Sequence, residues 1–328
     1  MRRRDFLGAV GSAAVAWPLA AAPKTERTRL ISVLMTFAEA DPEGQARLAA
    51  FQTTFRELGW IDGQNSRIVV RWAAGDMERT QRFAMELIAL RPDVAVVMSA
   101  PALVVMQRET SAVPIVFVQV SDPVGSGFVA SMSRPGGNIT GFANFETSMA
   151  SKWIELLKEV APHVSRIAFL IHAGLVPHLA FWRVAQDAAP SFGVQLTAAE
   201  VRNHSEVERA IAAFAADGNG GLIVLPDPVF NTLRDSIVEW TARYRLPAIY
   251  PFRFYALAGG LLSYGIDQID QWRGTARYVD RILRGEKAAD LPVQAPDKFE
   301  LLINLKSARA LGLTVPPTLL ARADEVIE

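Results

Sequence analysis

The sequence predicts an α/β protein of two Rossmann-like, doubly wound lobes joined by a multi-strand hinge, and three observations predict it. Short apolar runs alternate with amphipathic helical segments along the 328 residues, the series restarts midway, and a surplus helix and strand follow the second series. Alternation specifies a mostly parallel sheet covered by helices on both faces. The restart specifies a second lobe, as does a length beyond the usual size of one core. The surplus elements imply that the chain crosses between lobes more than once, and several crossing segments make a hinge able to close over a ligand.

The first series opens with a buried strand at 30–35. Asp41 and Pro42 then read as the N-cap and first residue of a helix. Leu48, Phe51, Phe55 and Leu58 fall on one face of that helix, and Gly59 ends it. A strand at 67–72, a helix at 76–90, a strand at 94–98, a helix at 101–109 and a strand at 114–120 follow. The runs VAVVM and IVFVQV are apolar nearly throughout, as expected for parallel strands buried on both faces.

Ser133 to Asn138 carries turn chemistry and marks a lobe boundary, after which the pattern begins again. Helices are expected at 148–160, 177–189, 205–216 and 229–244, and strands at 166–171, 194–201 and 222–225. A helix at 268–283, a strand at 299–305 and a last helix from about Lys306 complete the chain. This places residues 28–143 plus 266–290 in the first lobe and 144–265 plus 291–328 in the second.

The first 22 residues read differently from the rest. Arg2, Arg3 and Arg4 precede Asp5-Phe6-Leu7, an Ala/Gly-rich stretch follows, and small residues stand at Ala20-Ala21-Ala22. These are the parts of a cleavable export signal, and R-R-x-F-L resembles the twin-arginine pattern. Gly8, Gly11 and Pro18 interrupt the stretch, which falls short of the ~20 apolar residues a membrane span needs. A periplasmic location is therefore expected.

Lysines and arginines balance aspartates and glutamates at 34 each. Removal of the signal takes away three Arg and one Asp and leaves a net charge of −2. There is no basic face for a phosphate backbone, so no nucleic-acid partner is expected. The absence of cysteine rules out disulfides, thiolate metal sites and a lipid-modified N-terminal Cys. The four histidines, His163, His172, His178 and His204, lack metal-ligand spacing, and no nucleophile elbow is present. The glycines at 136–141 are spaced like a phosphate loop, but Phe142 stands where Lys belongs, and Gly125-Ser126-Gly127 lacks the third glycine of a dinucleotide fingerprint. Both read as turns. Neither a cofactor nor an enzyme activity is expected.

Open α/β sheets bind ligands at the carboxyl ends of their strands. In the first lobe these ends carry Thr36, Ser99, Ser121 and Asp122; in the second they carry His172, Asp227, Tyr250 with Arg253, and Ser263 with Tyr264. Thr36, Ser99, Asp122, Asp227, Tyr250 and Tyr264 are the candidate ligand-binding set, Asp122 foremost as the partner of a ligand ammonium or hydroxyl. Each aspartate precedes a proline at an expected helix start, where it serves equally as an N-cap. Tyr250 and Tyr264 fit a core edge as readily as a cleft.

Several longer stretches carry a family resemblance. They are Ser121-Asp122-Pro123-Val124, Arg134 to Phe142, Gly259-Gly260-Leu261-Leu262-Ser263-Tyr264-Gly265, Lys298 to Lys306, and the closing Ala310 to Pro317 with Leu320 to Ile327. Together they resemble the ABC-transporter substrate-binding family related to binding proteins of tryptophan/tyrosine uptake, across essentially the whole exported chain. The resemblance implies a type I periplasmic-binding-protein fold with three crossovers and a cleft between the lobes. It also implies a monomer that carries a small solute, such as an amino acid or aromatic acid, to an inner-membrane ABC permease. Two loops depart from the family's commonest wording, at Met98-Ser99-Ala100-Pro101-Ala102 and at His172-Ala173-Gly174. Two other functions share the architecture: a sensory module for a membrane kinase or chemoreceptor, and a nucleotide-dependent enzyme on a Rossmann-like scaffold.

Overall fold

Each core strand of the first lobe is apolar on both faces because helices cover both sides of its sheet. The computed structural model describes residues 27–328, so the expected export signal lies outside the described residues. The lobe runs β1 (Arg29–Met35), α1 (Pro42–Glu57), β2 (Ser66–Trp72), α2 (Met77–Ala89), β3 (Val94–Met98), α3 (Ala100–Glu109), β4 (Ile115–Val120) and β5 (Ile139–Ala143). All five strands are parallel, in the order β2-β1-β3-β4-β5. Every residue of β3 and β4 is buried. Asp41 caps α1 by accepting from Glu43 N at 2.9 Å, with Pro42 in the first turn, as its residue type dictates.

The second lobe runs α4 (Met149–Val160), β6 (Arg166–His172), α5 (Val176–Phe192), β7 (Gln195–Val201), α6 (His204–Ala215), β8 (Gly220–Val224), α7 (Pro228–Thr232), α8 (Arg234–Arg243), β9 (Ala248–Tyr250), α9 (Arg253–Leu257) and β10 (Leu262–Ile266). The chain then returns to the first lobe for α10 (Gln268–Leu283), whose Trp272 packs edge-on against Phe51 of α1 at 6.4 Å. It ends in the second lobe with β11 (Phe299–Asn304), α11 (Leu305–Ala310), α12 (Pro317–Leu320) and β12 (Glu325–Ile327). The second sheet has seven strands in the order β12-β11-β10-β9-β8-β6-β7, parallel except between β10 and β11.

Three segments cross between the lobes: the link from β5 to α4, the link from β10 to α10, and residues 295–298. The third crossing falls later than the expected boundary at 291. Leu291 is fully buried in the first lobe's core, and Gln294 exchanges backbone hydrogen bonds with Gly141 and Ala143 beside β5. Residues 291–294 therefore pack with the first lobe.

Four other expectations change. The stretch through Gly141, read as a turn, contains β5; Gly141 is required there because a Cβ would lie 2.0 Å from Phe117 O on β4. The helix expected at 229–244 breaks at Leu233 into α7 and α8. Asp122 opens a series of turns rather than a helix. Tyr264 lies in the middle of β10, not at its end.

Candidate functional site

The cleft is built where the carboxyl ends of the strands in one lobe face those of the other. From the first lobe, Thr36 follows β1, Met98 and Ser99 end β3, Gln119 and Ser121 end β4, and Asn144 follows β5. From the second come Leu175 and Pro177 at the start of α5, Pro226, Asp227, Pro228 and Asn231 around α7, and Phe252 after β9. They enclose about 430 Å³ of empty space, including the part that opens to solvent.

The two walls differ in chemistry. The first-lobe wall carries Thr36, Ser99, Gln119, Ser121 and Asn144; the second is mostly Leu175, Phe252 and three prolines. Ser99 Oγ, both carboxamide atoms of Gln119, and Asn144 Oδ1 are buried with no hydrogen-bond partner. A buried polar atom left unpaired typically costs 1–3 kcal/mol, so four such atoms around one space are suited to a partner that enters it. Ser99 and Gln119 also have positive φ, 76° and 60°, which L-residues adopt at a cost and which clusters at functional sites. At Gln119 the β4–β5 register shifts between Val118 and Val120, a bulge that places this residue apart from its apolar neighbours.

Among the described residues no lysine or arginine lines the space. Positive potential comes instead from helix N-termini: α3 begins at the first-lobe wall and α5 at the second, both without a side-chain cap. The single ionic side chain, Asp227, is already engaged. Its Oδ1 accepts from Val229 N at 2.7 Å and Phe230 N at 3.3 Å, and its Oδ2 bonds His172 Nδ1 at 2.9 Å. His178 is fully buried beside it, where its Nδ1 accepts from His172 N at 2.9 Å while its Nε2–H donates to Pro226 O at 3.2 Å. Burial depresses the His178 pKa, and the Asp227 hydrogen bond raises that of His172. Burial alone would raise the Asp227 carboxyl, but the His172 hydrogen bond and the two imidazoles hold it below the usual range. The group fixes the Pro226–Pro228 turn that forms part of the second wall.

The lobes meet beside this space. Arg234 Nη1 of α8 pairs with Asp41 Oδ2 of the first lobe at 2.6 Å, both side chains being largely buried. Phe37 and Phe254 meet edge-to-face at 6.5 Å, and the buried Arg47 lies over both rings at 5.0 and 5.7 Å. Arg47 also donates to Gln268 at the second crossing.

Of the six candidate residues, the structure brings Thr36, Ser99 and Asp227 to this space. Asp122, Tyr250 and Tyr264 do not line it, which corrects their expected placement. Asp122 accepts from Gly125 N at 2.9 Å and stabilises the turn after β4. Tyr250 is buried within the second lobe, where its OH bonds Thr241 Oγ1 at 2.7 Å and its ring stacks on Tyr255. Burial pushes the Tyr250 hydroxyl pKa above its usual value. Tyr264 stacks on Phe299 across the β10–β11 pair. We expect Asp122→Asn to bind ligand as the wild type does and to melt within about a degree of it, because Asn accepts the same hydrogen bond and tolerates positive φ. A tenfold loss of affinity in calorimetry would instead return Asp122 to the site.

Gln119, Asn144, Asn231 and Phe252 are among the lining residues that strand-end reasoning missed, as are Leu175 and Pro177. One signal for Gln119 was present: it is the lone polar residue in IVFVQV. Among the described residues no three His, Cys, Asp or Glu side chains converge as metal ligands, and no helix is long and apolar enough to cross a membrane.

Two parallel-sheet lobes, three crossings and a polar-walled space between them define a two-lobed solute-binding protein. Residues 35–327 match the family described as ABC transporter substrate binding protein, and the chain belongs to that family. It is a family of binding proteins rather than enzymes, and the match supports that reading and not the sensory or nucleotide-enzyme alternatives. The chain is similar to a tyrosine-binding protein of Clostridioides difficile, at 27% identity over 80% of this chain and 75% of the relative. Among solved structures it is similar to an ABC domain from Streptococcus pneumonia in complex with L-Trp, at 25% identity, with 92% of this chain and 100% of that chain covered and a TM-score of 0.84. A ligand-free, open substrate-binding protein from Clostridium difficile shares the fold at 24% identity, with 92% and 99% coverage and a TM-score of 0.67.

Proposed function

We propose that the protein captures an α-amino acid with an apolar or aromatic side chain between its lobes, in the periplasm, and delivers it as a monomer to an inner-membrane ABC permease. One observation carries the ligand class: an unpaired polar wall faces an apolar one, with no basic side chain between them among the described residues. A zwitterionic head suits the neutral amides and hydroxyls of the first wall, and the uncapped start of α3 beside Ser99 favours its carboxylate. The side chain is covered by Leu175, Phe252 and the prolines. The relatives described as tyrosine-binding and as an L-Trp complex support the same class.

A thermal-shift and calorimetry panel of L-tryptophan, L-tyrosine, L-phenylalanine, acidic and basic amino acids, and sugars tests this. A true ligand at about 100 times its Kd stabilises the protein by about 2.7 kcal/mol, a rise of roughly 5–10 °C. Stabilisation by sugars or charged amino acids alone, with none from the aromatic ones, would refute the ligand class.

The location rests on Arg3, Arg4 and the small residues at 20–22. Changing Arg3 and Arg4 together to Lys is expected to hold the precursor in the cytoplasm. Unchanged recovery from the periplasm would exclude the twin-arginine route.

A further inference from the structure

We propose that Gln119 selects the ligand's head group, its carboxamide reading the ammonium and the carboxylate of one amino acid at once. This deepens the amino-acid reading above and rests on it. Gln119 is only 6% exposed, yet neither its Oε1 nor its Nε2 has a partner. A glutamine amide offers one acceptor and one donor side by side. Buried without partners, the pair calls for a ligand that presents a donor and an acceptor with the same spacing, as an α-amino carboxylate does. Asn144 Oδ1 supplies a second acceptor for the ammonium, and Ser99 Oγ a second donor for the carboxylate.

The backbone supports this assignment. Gln119 is at φ 60° in a bulge of an otherwise regular strand, a conformation that glycine adopts without strain. A residue kept there despite strain, and despite an unpaired buried amide, is accounted for by binding and not by the stability of the empty protein. Selection by neutral groups also explains how the first wall recognises a zwitterion without an ion pair.

The test uses the purified protein, titrated by calorimetry with L-tryptophan, L-tyrosine and tryptamine. Gln119→Gly removes the carboxamide and relieves the backbone, so it is expected to melt at or above the wild-type temperature and to bind the amino acids about 10- to 300-fold more weakly. Gln119→Glu keeps an acceptor for the ammonium but loses the donor and repels the carboxylate. Its preference for L-tryptophan over tryptamine is expected to fall at least about tenfold relative to wild type. Wild-type affinity in Gln119→Gly, or an unchanged preference in Gln119→Glu, overturns the assignment while leaving the amino-acid reading intact. A wild-type protein that binds neither amino acid overturns that reading and this assignment with it.

Discussion

Asp227→Ala is expected to lower the melting temperature by about 5–10 °C, the equivalent of about 3–5 kcal/mol for breaking a buried, hydrogen-bonded charge pair. The carboxylate is fully buried, and its removal leaves the N–H groups of Val229 and Phe230 uncapped and His172 without its partner. Asp227→Asn keeps an oxygen for the cap and loses only the ionic part, so its loss is smaller and depends on pH. The Asp227 hydrogen bond raises the His172 pKa above its ordinary 6.5, so this share of stability is complete below 6.5 and disappears as pH rises through the raised value. His178 acts in the opposite sense. Burial depresses its folded pKa, so its share is present above 6.5 and is lost as pH falls toward the depressed value. Asp227, held below the usual carboxylate range, loses its own share only in stronger acid. The gap between wild type and Asp227→Asn should therefore be wider at pH 6 than at pH 9. Calorimetric scans at both values check this, and a gap that widens toward pH 9 would contradict the assigned pairing.

Arg234→Ala is expected to weaken ligand binding by about 10- to 50-fold without touching the ligand. The Arg234–Asp41 pair joins the two lobes at 2.6 Å with both side chains largely buried, so it lends stability to the closed form and cannot survive separation of the lobes. A ligand's apparent affinity scales with the population of its competent state, and losing a closed-state contact reduces that population. Asp41→Asn retains a residue able to cap α1 but loses the ion pair, and should weaken binding similarly. The double variant should be little worse than either single one, because both remove the same interaction. Calorimetry gives the affinities, and solution scattering at saturating ligand should still show closure. Two variants that bind as tightly as wild type would remove this pair from the closing mechanism.

Much of the second wall's chemistry was hidden for one reason: it depends on pairings between residues distant in the chain. Asp227 was recognised as a strand-end carboxylate and as a cap. Its engagement by His172, 55 residues earlier, came only with the packing of β6 beside β8. Tyr250 was equally ambiguous between core and cleft, and the decision fell to Thr241 on α8, which offers a buried partner for its hydroxyl. Asp122 was the sharpest expectation of the six and is turned to a turn's N–H, because its own backbone has positive φ and the chain leaves β4 in turns instead of a helix.

Periodicity and turn chemistry alone determined that this is a two-lobed α/β protein with mostly parallel sheets, because burial on both faces writes itself into the central strands as apolar runs. They also led to the expectation that ligands are met at strand ends, since topology makes that rule independent of side-chain detail. The tertiary structure alone decided which strand-end residues share one space. A bulge at Gln119, a left-handed Ser99 and the emergence of β5 from a glycine-rich stretch each turn on local backbone geometry set by neighbouring strands. A single residue of register decides which face a side chain occupies, and that register is enforced by contacts across the sheet and between lobes, which are not encoded in any local window of sequence.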